Sequence, residues 1–304
     1  MIDVSICICT FRRPDGLLRL LRALQRLSTA SPRHEIIVVD NDAARSAEPS
    51  VRQAAAEGVA VHYAVEPARG IARARNRSVA PARGTFVAFI DDDEEPDPDW
   101  LAHLYDAVTE CGADAGIGPV VPRFNAHTPA WLISGGFFDR PRPPSGTLLA
   151  AHEARTGNAL IRRAALQTLP GPFDEQYALS GGEDTDLFAQ LLKAGRRIIA
   201  VDAAVVFEHL PPHRTTLRWL LRRRFLNGFG AARLYASTVP SDARPRWQRA
   251  RPLLRGLKVG TAGLLLLPLS RRAALQRLTT AANHFGRFAF HSGFSFAPYA
   301  GDAP

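Results

Sequence analysis

Asp91, Asp92 and Asp93 follow the apolar run FVAFI without a break, and Glu94 and Glu95 extend the acidic stretch to five residues. Like charges this close repel one another, so the run costs stability unless something cationic neutralises it. An Asp-x-Asp arrangement such as Asp91 and Asp93 suits a hard divalent cation. Mg²⁺ or Mn²⁺ takes a few carboxylate oxygens and shares its remaining positions with substrate phosphates. Glu94, Glu95, Asp97 and Asp99 are expected only to lead into the next helix, whose N-terminus favours acids. A second acidic pair, Glu183 and Asp184, stands in SGGEDTDL after two glycines that permit a close backbone approach to a substrate. The plainer reading of this pair is a favourable charge at a helix start. His209, after an apolar stretch, is either a structural residue or a ligand.

Two other apolar runs end in polar residues, one at Thr10 and one at Asp40, Asn41 and Asp42. Ligands bind beyond the carboxyl ends of strands in open parallel sheets, so three such ends on one edge form a site pattern. The elements that must position them alternate along the chain. Residues 4–10, 35–42, 59–66 and 85–93 read as strands, and 14–27, 70–82 and 98–111 as helices. The strands are continuously apolar, which predicts an α/β fold with a mostly parallel central sheet flanked by helices. Residues 115–208 read as further strands around a Pro/Gly-rich loop at 134–147, with a helix closed by Gly195. The tail from about 213 reads as mostly helical.

With 304 residues, 46% of them hydrophobic, the chain can bury one large domain, with or without an appendage. Cys7 and Cys9 lie two apart on one strand and Cys111 stands alone. No disulfide framework or metal-ligand spacing emerges, so a reducing compartment is expected. No secretory signal is read at the N-terminus. The net charge of +9 is strongly polarised. Residues 209–304 hold 16 Arg/Lys against 2 Asp/Glu, a balance of +14, and residues 1–208 carry −5. Such a tail suggests an anionic partner, either membrane or nucleic acid.

The tail carries no nucleic-acid recognition module, and acidic strand ends repel phosphate unless a metal intervenes, so nucleic acid is not the expected partner. Residues 217–235 and 271–294 mix Arg with Leu, Phe and Trp or Phe, as helices lying in a bilayer interface do. The apolar segment 256–270 is too short to span a bilayer. The competing reading has these helices packed on the body with Arg facing water. Nucleotidyl transfer would also use metal-binding carboxylates on an α/β sheet, but no Gly-rich, Lys-bearing loop stands near the N-terminus.

The stretches VSICICTFRRPDGLLRLLRAL, EIIVVDND, GIARARNRSVAPARGTFVAFIDDDEEPDPDWL, TGNALIRRAAL, FDEQYALSGGEDTDLFAQLLKAG and VFEH together resemble the family 2 inverting glycosyltransferases of the GT-A fold. They occur in that family's order over roughly residues 1–210. The DDDE and GGEDTDL forms look most like bacterial exopolysaccharide sugar transferases of the succinoglycan type. The resemblance implies a metal-dependent enzyme using Mn²⁺ or Mg²⁺. It would move a sugar from a nucleotide-diphosphate sugar, by default a UDP-sugar, to a saccharide or polyprenyl-diphosphate-linked acceptor. It further implies that Thr10, Phe11 and Arg12 line the base and ribose pocket, that Asp40 holds the base, and that Arg75 and Asn76 shape that pocket. Asp93 would bind the metal, and Asp91 would contact the ribose or metal-bound water. Asp92 leaves this register open by one residue. Asp184 matches the catalytic base, with Glu183 beside it, and His209 matches a further metal ligand. The implied organisation is a GT-A catalytic domain at 1–212 and a basic helical extension at 213–304. The implied place is the cytoplasm, peripheral at the inner face of the cell membrane. Without metal, the acidic loop is expected to be loose.

Overall fold

The computed structural model describes residues 2–177, 181–238 and 246–294. They form two compact units. One holds the chain up to Arg123 together with Arg140–His209; the other holds Phe124–Asp139 and the described residues from Leu210 onward.

In the first unit, β1 (Val4–Thr10) leads into α1 (Pro14–Leu24), whose leading proline suits a first helical turn. Next come β2 (His34–Asp40), α2 (Glu48–Ala56), β3 (Val61–Val65), α3 (Ile71–Val79) and β4 (Phe86–Ile90). A short β5 (Glu94–Pro96) precedes α4 (Trp100–Glu110), β6 (Ala115–Ile117) and β7 (Val120–Arg123). The short α5 (Ala130–Ser134) belongs to the second unit. The first unit resumes with β8 (Asn158–Arg162), α6 (Arg163–Gln167), α7 (Glu183–Lys193), β9 (Ile198–Ala200) and β10 (Val206–His209).

Seven strands form one sheet in the order β3-β2-β1-β4-β8-β6-β9. All its pairings are parallel except those of β8, which runs against β4 and β6. The alternation of side chains across a strand loads both faces. Phe86, Ala88 and Ile90 of β4 join Leu17, Leu20, Leu21, Trp100 and Leu104 in one buried cluster. Val87 and Phe89 join Phe173, Leu187, Phe188 and Leu191 in the other. This is why the strands read as unbroken apolar runs. The reversed β8 places Asn158 next to the end of β4, in register with Ile90.

Several elements depart from the sequence expectation, among them the short helices α5 and α6, which fall where strand or loop was read. The residues 94–96, read as a solvated lead into a helix, form a strand of a second, three-stranded sheet in the order β5-β10-β7. Its partner β10 lies about 110 residues away in the chain, beyond the reach of local pattern. The helix α2 buries only Ser50, Val51 and Ala54, too narrow a face to show as periodicity. Its sequence signals were Pro49 in the first turn and Gly58, at φ 93°, beyond its end.

The second unit adds α8 (Leu217–Thr238), α9 (Arg246–Leu266) and α10 (Arg271–His291) to α5. Leu132, Phe137, Leu220 and Leu275 form its buried cluster. Ser270 caps α10, its hydroxyl accepting the Ala273 N–H at 3.3 Å. Among the described residues no helix is long and apolar enough to cross a membrane.

Candidate active site

The carboxyl ends of β1, β2 and β4 lie side by side, with Thr10 in register with Asp40. The Thr10 hydroxyl donates to Asp92 Oδ2 at 2.7 Å. Arg13, at the start of α1, reaches the same loop. Its Nη1 donates to Asp92 Oδ1 at 2.9 Å and to Asp93 Oδ2 at 3.0 Å. Asp92 is thereby turned inward and buried. Burial pushes its carboxyl up to about 6, against the pull of the Arg13 guanidinium and with the push of Asp93. The Asp91 side chain remains 47% exposed. Of the three aspartates, the middle one ties the loop to β1 and Arg13, while Asp91 and Asp93 flank it as a pair spaced by one residue.

Glu94 is a buried part of this loop. Its Oε2 accepts the Asp91 N–H at 3.0 Å. Burial, with Asp91 and Asp93 adding to it, pushes its carboxyl well above the usual range. Gly157, just before β8, closes in from the other side. A Cβ there would stand 2.9 Å from Glu94 Oε1 and 3.0 Å from Asp91 Oδ2, so a side chain at this position would push on both carboxylate tips.

From α3 the buried Arg75 connects two parts of the site. Its Nη1 is paired with Glu183 Oε1, and its Nη2 donates to Asp91 Oδ1 at 3.4 Å. The guanidinium also lies over the Phe173 ring, 5.6 Å from its centre. Glu183 opens α7 after Gly182, whose φ of 103° is left-handed backbone that a side chain would strain. The Glu183 carboxyl is buried, and its Oε2 has no hydrogen-bond partner. Burial raises it, Arg75 pulls it down and Asp184 pushes it up, with a net rise. Asp184 is half-buried beside it, its Oδ1 accepting the Thr185 N–H at 2.7 Å. Ser180 of the same motif lies outside the described residues.

The structure thus brings together Thr10, Asp91, Asp92, Asp93, Arg75, Glu183 and Asp184. Phe11 and Arg12 follow Thr10. The Arg12 and Arg69 guanidiniums stand 5.0 Å and 4.6 Å from the Phe11 ring centre, and Arg12 donates to Asp42 Oδ2 at 3.2 Å. Arg12 holds φ at 53°, a conformation that costs energy for a non-glycine residue and clusters at functional sites.

Three further expected residues have partners of their own. Asp40, expected to hold a base, is fully buried. Its oxygens accept the Asp42 N–H at 3.1 Å, the Ala47 N–H at 2.7 Å and the Tyr63 hydroxyl at 3.0 Å, so it shapes the loop after β2. The Asn76 amide clamps the Phe173 backbone, donating to its carbonyl at 2.7 Å and accepting its N–H at 3.0 Å. It therefore sets the ring against which Arg75 packs. The His209 ring, expected as a metal ligand, lies 2.9 Å from Glu95 Oε2, while its backbone N–H donates to the Asp93 carbonyl. Among the described residues no group of three or more His, Cys, Asp or Glu is placed to hold a metal.

The remaining pair still fits a divalent cation. Asp91 and Asp93 are hard oxygen donors, and Mg²⁺ or Mn²⁺ is commonly held by one or two carboxylates plus substrate phosphates. Gly157 keeps the space around Asp91 clear. Arg13 supplies positive charge to the aspartates where a cation would add more. Arg13→Ala is therefore expected to unfold about 1 kcal/mol more easily in chelator. Mn²⁺ should restore most of that loss. Urea titrations with EDTA and with Mn²⁺ check this, and an equal loss in both would remove Arg13 as a neutralising partner.

Arg13, Glu94 and Gly157 were not expected from sequence. Nothing in local spacing links residue 13 to residue 92 or residue 157 to residue 94. The one available signal was the second arginine of FRRP beside a strand end.

The family model for glycosyl transferase family 2 matches residues 5–169. The chain belongs to that family. This family 2 glycosyltransferase is 37% identical over 284 residues to succinoglycan biosynthesis protein ExoM of Rhizobium meliloti (strain 1021), covering 89% of this chain and 87% of that one. Solved structures share its GT-A fold. TarS 1-349 of S. aureus in complex with UDP superimposes with a TM-score of 0.54 at 14% identity, over 97% of this chain and 93% of that one. The mannosyltransferase PcManGT from Pyrobaculum calidifontis, in complex with GDP-Man and Mn²⁺, gives 0.59 at 17% identity, over 95% and 85%. The family match ends at residue 169, before Glu183, Asp184 and His209.

Proposed function

We propose that this glycosyltransferase moves a sugar, with inversion, from a nucleoside-diphosphate sugar to a saccharide or polyprenyl-diphosphate-linked acceptor in exopolysaccharide synthesis. The observation that carries the reading is the Asp91, Arg75 and Glu183 chain, in which one buried arginine ties the strand-end acids to the opening of α7. The reading of a role in exopolysaccharide synthesis draws support from the relative ExoM, a succinoglycan biosynthesis protein. The reading of the donor draws support from TarS with UDP and from PcManGT with GDP-Man.

In this proposal the catalytic unit ends near residue 212 and a basic helical extension follows. Thr10, Phe11 and Arg12 line the nucleotide. Asp91 and Asp93 hold Mn²⁺ or Mg²⁺, which when bound neutralises charge developing on the leaving diphosphate. Asp92 stays turned to Thr10 and Arg13 and keeps the loop in shape. Asp184 accepts the proton of the acceptor hydroxyl as its oxygen bonds to the anomeric carbon. The bond from that carbon to the diphosphate oxygen breaks, and its electron pair leaves with the nucleoside diphosphate. Attack and departure on opposite faces invert the centre with one base, whereas glycoside hydrolysis employs two carboxyl groups. Glu183 is spent on Arg75, so it positions the arginine and leaves proton transfer to Asp184. The enzyme would work on the cytoplasmic side of an anionic membrane that carries its acceptor.

A thermal-shift panel of UDP-, GDP- and dTDP-sugars with Mn²⁺ tests this reading. A matched donor at a hundred times its Kd adds about 2.7 kcal/mol of stability. Absence of any shift across the panel would contradict it.

A further inference from the structure

We propose that the α9–α10 hairpin docks on an anionic bilayer by inserting a row of exposed leucines; this sharpens the membrane placement above and rests on that reading for its purpose. On α9 and the turn after it, Leu254, Leu257, Leu264, Leu265, Leu267 and Leu269 are all exposed, Leu265 by 75% and Leu269 by 81%. Single exposed leucines are ordinary, but a contiguous apolar row marks an interaction site. Leu254, Leu257, Leu264 and Leu265 recur at helical spacing and share one side of α9, with Thr261 between them. Another side of the helix faces α10. A Cβ at Gly256 would stand 2.7 Å from the Phe285 ring, and one at Gly263 3.1 Å from the Ala274 carbonyl oxygen. The leucines therefore point away from the packing seam.

Charge selects the occupant. Residues 246–294 contain nine Arg/Lys and no Asp/Glu. Arg251, Arg255 and Lys258 on α9, and Arg271 and Arg272 opening α10, are all exposed near the leucine row. A second copy of this chain would bring the same positive charge to the contact. Anionic lipid headgroups bring the opposite charge, and the acyl boundary below them takes apolar side chains. Entry of the tip into this boundary is eased because its N–H groups are bonded within the turn. Leu267 N–H donates to the Leu264 carbonyl at 3.2 Å, Leu269 N–H to Leu266 at 3.0 Å and Ser270 N–H to Leu266 at 2.8 Å. The hairpin would lie in the interface without crossing it.

Co-sedimentation of the full chain with vesicles tests the proposal, using phosphatidylcholine alone and phosphatidylcholine with phosphatidylglycerol. The native chain should bind the anionic vesicles and be released by salt. Arg271→Gln with Arg272→Gln should weaken this binding about tenfold or more. Leu265→Ser with Leu269→Ser should weaken it about tenfold or more as well, with the melting temperature unchanged because both side chains already face solvent. Equal sedimentation of the leucine variant would overturn the proposal. So would a stable dimer, seen by analytical ultracentrifugation, that the leucine substitutions dissociate. Sugar-nucleotide thermal shifts on the same proteins keep the two readings apart. A chain that binds vesicles but no sugar nucleotide fails the enzymatic reading, and one that binds sugar nucleotides but no vesicles fails the docking.

Discussion

Asp184→Asn is expected to bind sugar nucleotide like the native chain and to transfer sugar about 10²–10⁴-fold more slowly, the usual contribution of a positioned proton acceptor. The substitution keeps the shape of the side chain and the bond from Thr185 N–H, which needs only an oxygen. Among the described residues no hydrogen bond falls on Asp184 Oδ2, so folding loses no partner there. The loss should fall on kcat, with donor Kd unchanged. Measuring turnover and equilibrium binding separately makes the distinction. Near-native turnover would move the base to another residue, and loss of donor binding would make Asp184 a binding group instead.

Arg75→Met is expected to have the largest effect on stability. The arginine is the one described cation within contact of Glu183, and Glu183 is buried with one oxygen already unpartnered. Removing one partner of a buried ion pair typically costs about 3–5 kcal/mol, because the remaining charge is left in a poor medium. The double variant Arg75→Met with Glu183→Gln should recover a large part of that loss. The deficit should also depend on pH. Without Arg75, the folded chain must hold Glu183 protonated, while the unfolded chain releases that proton near its ordinary value of about 4.3. The native state then binds more protons than the unfolded one, so stability falls as pH rises above that value. Urea unfolding should show the single variant least impaired near pH 5 and most impaired near pH 8. A flat profile would mean that Glu183 is not the group left uncompensated.

The sheet was legible from sequence because parallel strands covered on both faces must be apolar along their whole length. That property marked β1, β2 and β4 and, with them, the polar ends that follow. Asp91 to Asp93 and the opening of α7 were legible because charge and glycine at such ends are locally unusual. The partners of these groups were not legible. Arg13 meets Asp92 and Asp93, and Arg75 meets Glu183, through contacts that span 79 to 108 residues, and Arg75 also meets Asp91, 16 residues further on. Within the acidic loop, Thr10 and Arg13 bond to Asp92 and the Asp91 N–H donates to Glu94. Glu94 read as solvated because its burial comes from β5 pairing with β10. Asp40 and Asn76 sit where motif position led, but their hydrogen bonds go to backbone that only the folded chain brings near. The leucine run of 256–270 read as generally apolar. Which of its sides packs and which stays bare depended on the seam with α10.

The central claim is that Asp91 and Asp93 hold a divalent cation that binds the donor diphosphate. Calorimetric titration of UDP and of GDP into the full chain, with Mn²⁺ and with EDTA, tests it most directly, using the native protein and Asp93→Ala. At least one nucleotide should bind the native chain in Mn²⁺. It should bind at least about tenfold more weakly, a difference of about 1.4 kcal/mol, in EDTA or to Asp93→Ala. Equal affinity in Mn²⁺ and EDTA, or native affinity of Asp93→Ala in Mn²⁺, would contradict the claim.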